Sequence, residues 1–227
     1  AENFLDWYKK GKLTGLGVST TQALENLSVG VPWEKSGAMG AFAAGNGVAM
    51  RISPLAFVID PRKNNEVVRQ VANITHQNNE AFSGALTTAT AIFMATNGEW
   101  KGKNDLLRKV FDSLPDSKLR FRIEDILVYE NKMSVQDIAI KFGASGYVVD
   151  SIPIAIYAAQ KILKKSITEI FIELINAGGD TDTNCSICGN ICGAFTGYEK
   201  IPEDLKKRFN TLEISEHINQ IVEQWPF

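Results

Sequence analysis

The chain has 227 residues, with 24 Lys and Arg against 26 Asp and Glu, a formal charge of −2, and 44% apolar against 22% charged residues. These proportions suit an ordinary globular domain, and the length suffices for a core without disulfide or metal staples. The balance and a pI of about 5.8 lack the basic patch of a general nucleic-acid binder. No apolar run approaches the roughly 18 residues that span a bilayer, and Ala1 to Trp7 lacks the basic start and apolar stretch of a secretion signal.

Apolar spacing is helical nearly throughout. Asn3 to Lys10 carries Phe4, Leu5, Trp7 and Tyr8 among charges. Thr20 or Thr21 can cap a helix to about Val29, with Ala23, Leu24 and Leu27 on one side. Gly30 to Gly47 holds five glycines and reads as a loop, either turning the chain or letting backbone approach a ligand. Asn46 to Ile59 is apolar but interrupted by Pro54. Asn64 to Ile74 places Val67, Val68, Val71 and Ile74 at helical spacing, and Glu80 to Thr96 is an Ala- and Thr-rich helix stopped by Asn97-Gly98. Ser134 caps a segment to Phe142, with Asp137 three residues on and Gly143 beyond its end. Pro153 opens a helix through Leu163. Thr168 to Asn176, Thr183 to Phe195 and Glu213 to Gln224 complete the pattern. Strand signals are few. The spacing therefore predicts one all-α domain, residues 1–227, of nine or ten helices.

The stretch richest in chemistry is Asn176-Ala-Gly-Gly-Asp-Thr-Asp-Thr-Asn-Cys185. Asp180 and Asp182 stand two residues apart after a glycine pair, with Thr183 next and an apolar helix following. Hard divalent cations take carboxylate and hydroxyl oxygens. The positive end of a helix also favours acidic side chains. The plain alternative is that Asp182 or Thr183 caps the helix and Asp180 is a solvated turn residue. The apolar flanks argue for buried carboxylates, and buried carboxylates need a cation. Cys185, Cys188 and Cys192 follow with the spacing of one helix face, which fits packing in a core, although thiolates also ligate metals. Three cysteines in one short stretch make no disulfide framework, and a reducing compartment, the cytoplasm, is expected.

Several of these segments together resemble the ADP-ribosylglycohydrolase family. Gly178-Gly179-Asp180-Thr181-Asp182-Thr183-Asn184, with Ile187-Cys188-Gly189, Gly193-Ala194-Phe195-Thr196-Gly197 and Ile201-Pro202, resembles its C-terminal signature. Gly45-Asn46-Gly47-Val48-Ala49-Met50-Arg51 resembles its G-N-G-x-A-M-R loop, Thr75-His76 its T-H segment, and Gly146-Tyr147-Val148-Val149-Asp150-Ser151 the approach to its later long helices.

The resemblance implies a compact, orthogonal bundle of helices around two magnesium or manganese ions, and hydrolysis of a glycosidic bond at the anomeric carbon of ADP-ribose. It implies that Asp180, Asp182 and Thr183 are metal ligands and that Gly45, Asn46 and Gly47 contact ADP-ribose. His76 would lie near the phosphates or adenine; by spacing alone it reads equally well as a helix-end residue capping its own carbonyls. The expected partner is ADP-ribose or an ADP-ribosylated protein, bound by a monomer, with neither nucleic acid nor membrane involved. The family's other metal half-site, a T-D-D-T segment, has no counterpart here, since Thr20-Thr21 is followed by Gln22. The general base is accordingly unassigned, and a non-catalytic, binding or crystallin-like homologue stands as the alternative. Arg51 reads as structural, Thr20 as a cap, and the run Glu203 to Arg208 as a solvated face.

Overall fold

The computed structural model describes residues 1–129 and 132–225. The described chain is all-α: thirteen α-helices, four 3-10 turns, and one parallel strand pair of two residues each. The helices are α1 (Glu2–Lys9), α2 (Val18–Ser28), α3 (Trp33–Ser36), α4 (Asn65–Asn73), α5 (Asn79–Thr96), α6 (Leu106–Phe111), α7 (Lys118–Leu127), α8 (Val135–Phe142), α9 (Val148–Ala159), α10 (Ile167–Ala177), α11 (Thr181–Thr196), α12 (Glu203–Asn210) and α13 (Ser215–Glu223). None is long and apolar enough to cross a membrane.

The core is built on α5, α9 and α11. Fourteen of the 18 residues of α5 are buried, as are 11 of the 12 in α9. A helix enclosed on every side must carry small or apolar residues all round, which the Ala- and Thr-rich sequence of α5 supplies. Gly84 lets α9 come close, because a Cβ there would fall 2.1 Å from a Val148 methyl. Thr87 satisfies its buried hydroxyl by donating to the Ser83 carbonyl at 2.6 Å. Each fully buried side chain such as Ile152 or Ile92 contributes about 1.5–3 kcal/mol by leaving water.

Capping chemistry fixes several helix starts. Ser134 and Asp137 form a reciprocal capping box at α8, as the spacing predicts, and Ser166 with Glu169 does the same at α10. Other boundaries differ from expectation. α2 starts at Val18 after Gly17, so Thr20 and Thr21 lie inside it rather than capping it. Pro153 sits within α9 instead of opening it. Its ring removes one donor from the ladder, a loss tolerated where the rest of the helix is packed on all sides. Glu203 to Arg208 is part of α12, in which Lys206 buries its stem while its ammonium donates to Glu203 at 2.8 Å.

The glycine-rich stretch from 30 to 47 is more ordered than a loop. It contains α3 and the strand residues Ala38 and Met39, which pair with His76 and Gln77. Ser36 donates to the Ile74 carbonyl at 2.8 Å, and Asn78 donates to the Gly40 carbonyl at 2.9 Å. These bonds bring the 45–47 turn beside residues 75 and 76.

Candidate active site

One cleft of about 520 Å³ gathers the start of α11, the 45–47 turn and His76. Its acidic wall begins at the end of α10. Gly178 and Gly179 both take φ of 76°, a left-handed conformation costly for any side chain. A Cβ on Gly179 would also fall 2.2 Å from the Ala144 carbonyl oxygen. The backbone therefore runs directly against the loop before α9. Ala144 O accepts both the Asp180 amide at 2.8 Å and the Asn184 side-chain amide at 3.0 Å, which fixes where α11 starts.

Asp180 is the N-cap residue of α11, yet its side chain makes no cap bond. Its carboxylate accepts instead from Asn46 Nδ2 at 2.8 Å. The Asn46 amide donates to Gly146 O at 3.2 Å, so three distant stretches are tied into one node. Asp182 sits in the first turn of α11. Its carboxyl is held below the usual carboxylate range, mainly by a hydrogen bond shared with Asp180 and then by the Thr183 amide. A carboxylate so held stays ionised, and its oxygens are available to a cation. Thr183 is buried, with 6% exposure.

The burial expected for the acidic pair is not seen. Asp182 is exposed and Asp180 half-buried, because both line the open cleft rather than the helix core. Proximity of the two carboxyls, not desolvation, is what favours a cation here. Among the described residues no group of three or more His, Cys, Asp or Glu gathers at one point. Asp180, Asp182 and the Thr183 hydroxyl thus offer hard oxygen donors suited to one ion that keeps several waters. They do not supply donors for a second.

The opposite wall carries His76, which is 3% exposed. Its imidazole lies under the glycine turn: a Cβ on Gly45 would meet Nε2 at 3.4 Å, and one on Gly47 would meet Cε1 at 3.2 Å. Nδ1 lies 2.8 Å from the Thr75 hydroxyl. Burial, followed by the charge of Arg51, pushes the pKa down to about 4, so the ring is neutral at physiological pH. Arg51 donates to the Gly47 carbonyl and to the Thr75 hydroxyl, and its guanidinium faces the Phe4 ring at 5.5 Å. Burial lowers its pKa to about 10, leaving it a cation.

All seven residues singled out in the sequence, Gly45, Asn46, Gly47, His76, Asp180, Asp182 and Thr183, line this cleft. The structure adds Phe4, Ser19 and Thr20, which no motif marks, and Met50, Arg51 and Gly146, which lie in the resembling segments but were not assigned to the site. Arg51 was legible as a neighbour of the turn but not as its clamp, because its partner Thr75 lies 24 residues on. The cysteines belong to the core side of α11. Cys188 and Cys192 are buried with sulfurs 3.9 Å apart, and burial raises Cys188 well above the usual thiol range and Cys185 to about 11.

Known proteins resemble this chain in fold and in sequence. A solved structure titled an ADP-ribosylglycohydrolase-related protein complex superposes with a TM-score of 0.68 at 23% identity, covering 97% of this chain and 70% of that one. That likeness establishes the fold. An uncharacterized protein of Archaeoglobus fulgidus is 32% identical over 221 residues, covering 92% of this chain and 68% of that protein. The chicken (Gallus gallus) ADP-ribosylhydrolase ARH3 is 25% identical over 238 residues, covering 89% and 64% respectively. This chain spans about two thirds of the length of these relatives. The family model described as ADP-ribosylglycohydrolase matches residues 1–226. The chain belongs to the ADP-ribosylglycohydrolase family, a family of glycosyl-bond hydrolases.

Proposed function

We propose that the protein hydrolyses the glycosidic bond between ADP-ribose and a protein side chain or small conjugate, assisted by magnesium or manganese. The observation that carries this reading is the 2.8 Å bond from Asn46 to Asp180, which joins the two signature segments in one cleft. Asp180, Asp182 and Thr183 would hold the cation. Bound there, it would orient ribose hydroxyls and make a water more acidic. Asn46 holds the Asp180 carboxylate toward the cleft and leaves its second oxygen for the ion. Cleavage passes through an oxocarbenium-like state, and the acidic wall would stabilise the positive charge that grows on the sugar ring. The Gly45–Gly47 turn and His76 would face the diphosphate-bearing part of the ligand, where backbone amides and a neutral imidazole can donate hydrogen bonds.

Thermal unfolding tests this reading. Magnesium should raise Tm, and ADP-ribose should raise it further, since a ligand at 100 times its Kd adds about 2.7 kcal/mol. Asp182→Asn should abolish the magnesium shift while leaving the apo protein nearly as stable. Absence of both shifts in the unmodified protein would overturn the assignment.

One observation favours a second reading, an ADP-ribose-binding homologue without hydrolysis. Among the described residues lining the cleft, Asp180 and Asp182 are the only carboxylates, so holding a cation leaves no third one to act as base. Release of free ADP-ribose from an ADP-ribosylated peptide separates the two readings.

A further inference from the structure

We propose that Arg51 and Thr75 act as positioning residues that lock His76 as its Nε2–H tautomer, so that the imidazole meets the ligand as a hydrogen-bond donor and not as a base. What that donor meets rests on the ADP-ribose reading above; the tautomer is a property of the protein alone.

The argument is a count of protons. Thr75 is fully buried, and its hydroxyl has one proton to give and two lone pairs to receive. Arg51 Nη2 donates into one lone pair. The only other partner of this oxygen among the described residues is His76 Nδ1, at 2.8 Å. Suppose Nδ1 carried the proton. The hydroxyl would then accept twice, and its own proton would point into the interior with no acceptor. Reversing that bond satisfies every group: Arg51 donates to the hydroxyl, and the hydroxyl donates to Nδ1. The imidazole proton must then reside on Nε2.

That nitrogen is the one turned toward the ligand. It has no protein partner among the described residues, and it lies beneath Gly45, whose missing side chain leaves the approach open. Each donor in the row from guanidinium to hydroxyl to imidazole polarises the next in the same sense, which strengthens the final Nε2–H. Protonating the ring would require a proton on Nδ1, orphaning the Thr75 hydroxyl proton and adding charge beside Arg51. The hydrogen-bond partners of Arg51 among the described residues are the Gly47 and Val71 carbonyls and the Thr75 hydroxyl, none of them a carboxylate that would offset that charge. The same guanidinium also holds the Gly47 carbonyl, so one residue sets both the turn and the direction of the donor beneath it. An acceptor such as a phosphate or sugar oxygen fits this donor.

Long-range ¹H–¹⁵N correlation spectra of the uniformly ¹⁵N-labelled protein at neutral pH test the assignment. The chain has two histidines, and loss of one set of signals in His76→Gln assigns the other to His217. His76 should show a single neutral form with protonated Nε2. Thr75→Val should release it toward a mixture of tautomers, and Thr75→Ser should restore the single form. A protonated Nδ1 in the unmodified protein, or an unchanged tautomer in Thr75→Val, would overturn the proposal; if the valine variant does not fold, the unmodified spectrum alone decides. Adding ADP-ribose should shift the Nε2–H signal. The expected tautomer with no such shift would uphold the lock and refute the ADP-ribose reading instead.

Discussion

The two walls of the cleft solve opposite problems. The acidic wall is open to water and keeps carboxylate lone pairs that protein donors do not fill, which is where the proposed cation would sit. On the wall of Arg51, Thr75 and His76 the threonine and histidine are buried and the three side chains are bonded in a row, with His76 Nε2 left without a protein partner among the described residues. The first wall offers its oxygen donors outward, whereas the second turns most of its polar groups toward one another. Both depend on glycine: Gly178 and Gly179 aim the acids, and Gly45 and Gly47 make room over the imidazole.

Breaking the backbone of the acidic wall should have the largest effect. Gly179→Ala combines a left-handed backbone with a contact of 2.2 Å to a carbonyl oxygen, and should cost about 3 kcal/mol or more in urea unfolding. A near-neutral result would mean that the loop before α9 can retreat. The second wall should announce itself through pH. His76 has a folded pKa of about 4 against an ordinary 6.5, so the unfolded chain takes up the proton first as the solution is acidified. Stability should therefore be unaffected by this group above pH 6.5 and fall by about 3 kcal/mol between pH 6.5 and 4. The difference curve against His76→Gln isolates this contribution; a flat difference would place the ring in water. Asn46→Ala should cost about 1 kcal/mol, as for one hydrogen bond, while weakening magnesium binding by calorimetry because Asp180 loses its anchor. A change of stability with undiminished magnesium affinity would separate the anchor from the cation. Least in effect, Ser166→Ala should remove a helix cap for about 1 kcal/mol and leave ligand responses unaltered, a control distant from both walls.

Much of the fold was legible because its signals are local. The α5 sequence is small or apolar nearly all round, as an enclosed helix requires, and the Ser134–Asp137 box with Gly143 marks both ends of α8. α6 is not readable from the sequence, because six residues give too little periodicity. α7 does carry a helical signal, since Leu119, Ile123, Ile126 and Leu127 form one apolar face with charges opposite. The acidic segment stood out through its density of acids, hydroxyls and glycines. Of the opposite wall, the Gly45–Gly47 turn and His76 were readable through the resemblance, but the clamp was not, because Arg51, Gly47 and Thr75 are joined only by how chain segments meet. Burial of the acids was inferred from their flanks, and the flanks turned inward while the acids turned to the cleft.

The node at Asn46, Ala144, Gly146 and Asp180 has a consequence for how the protein comes into being. Its side-chain link joins positions 134 residues apart, so closing it means surrendering the freedom of a very large loop. During synthesis the early glycine turn must wait, unfinished, until α11 has emerged. The cleft is therefore expected to close only after α11 has been made, and a nascent chain stopped before residue 178 should not retain ADP-ribose.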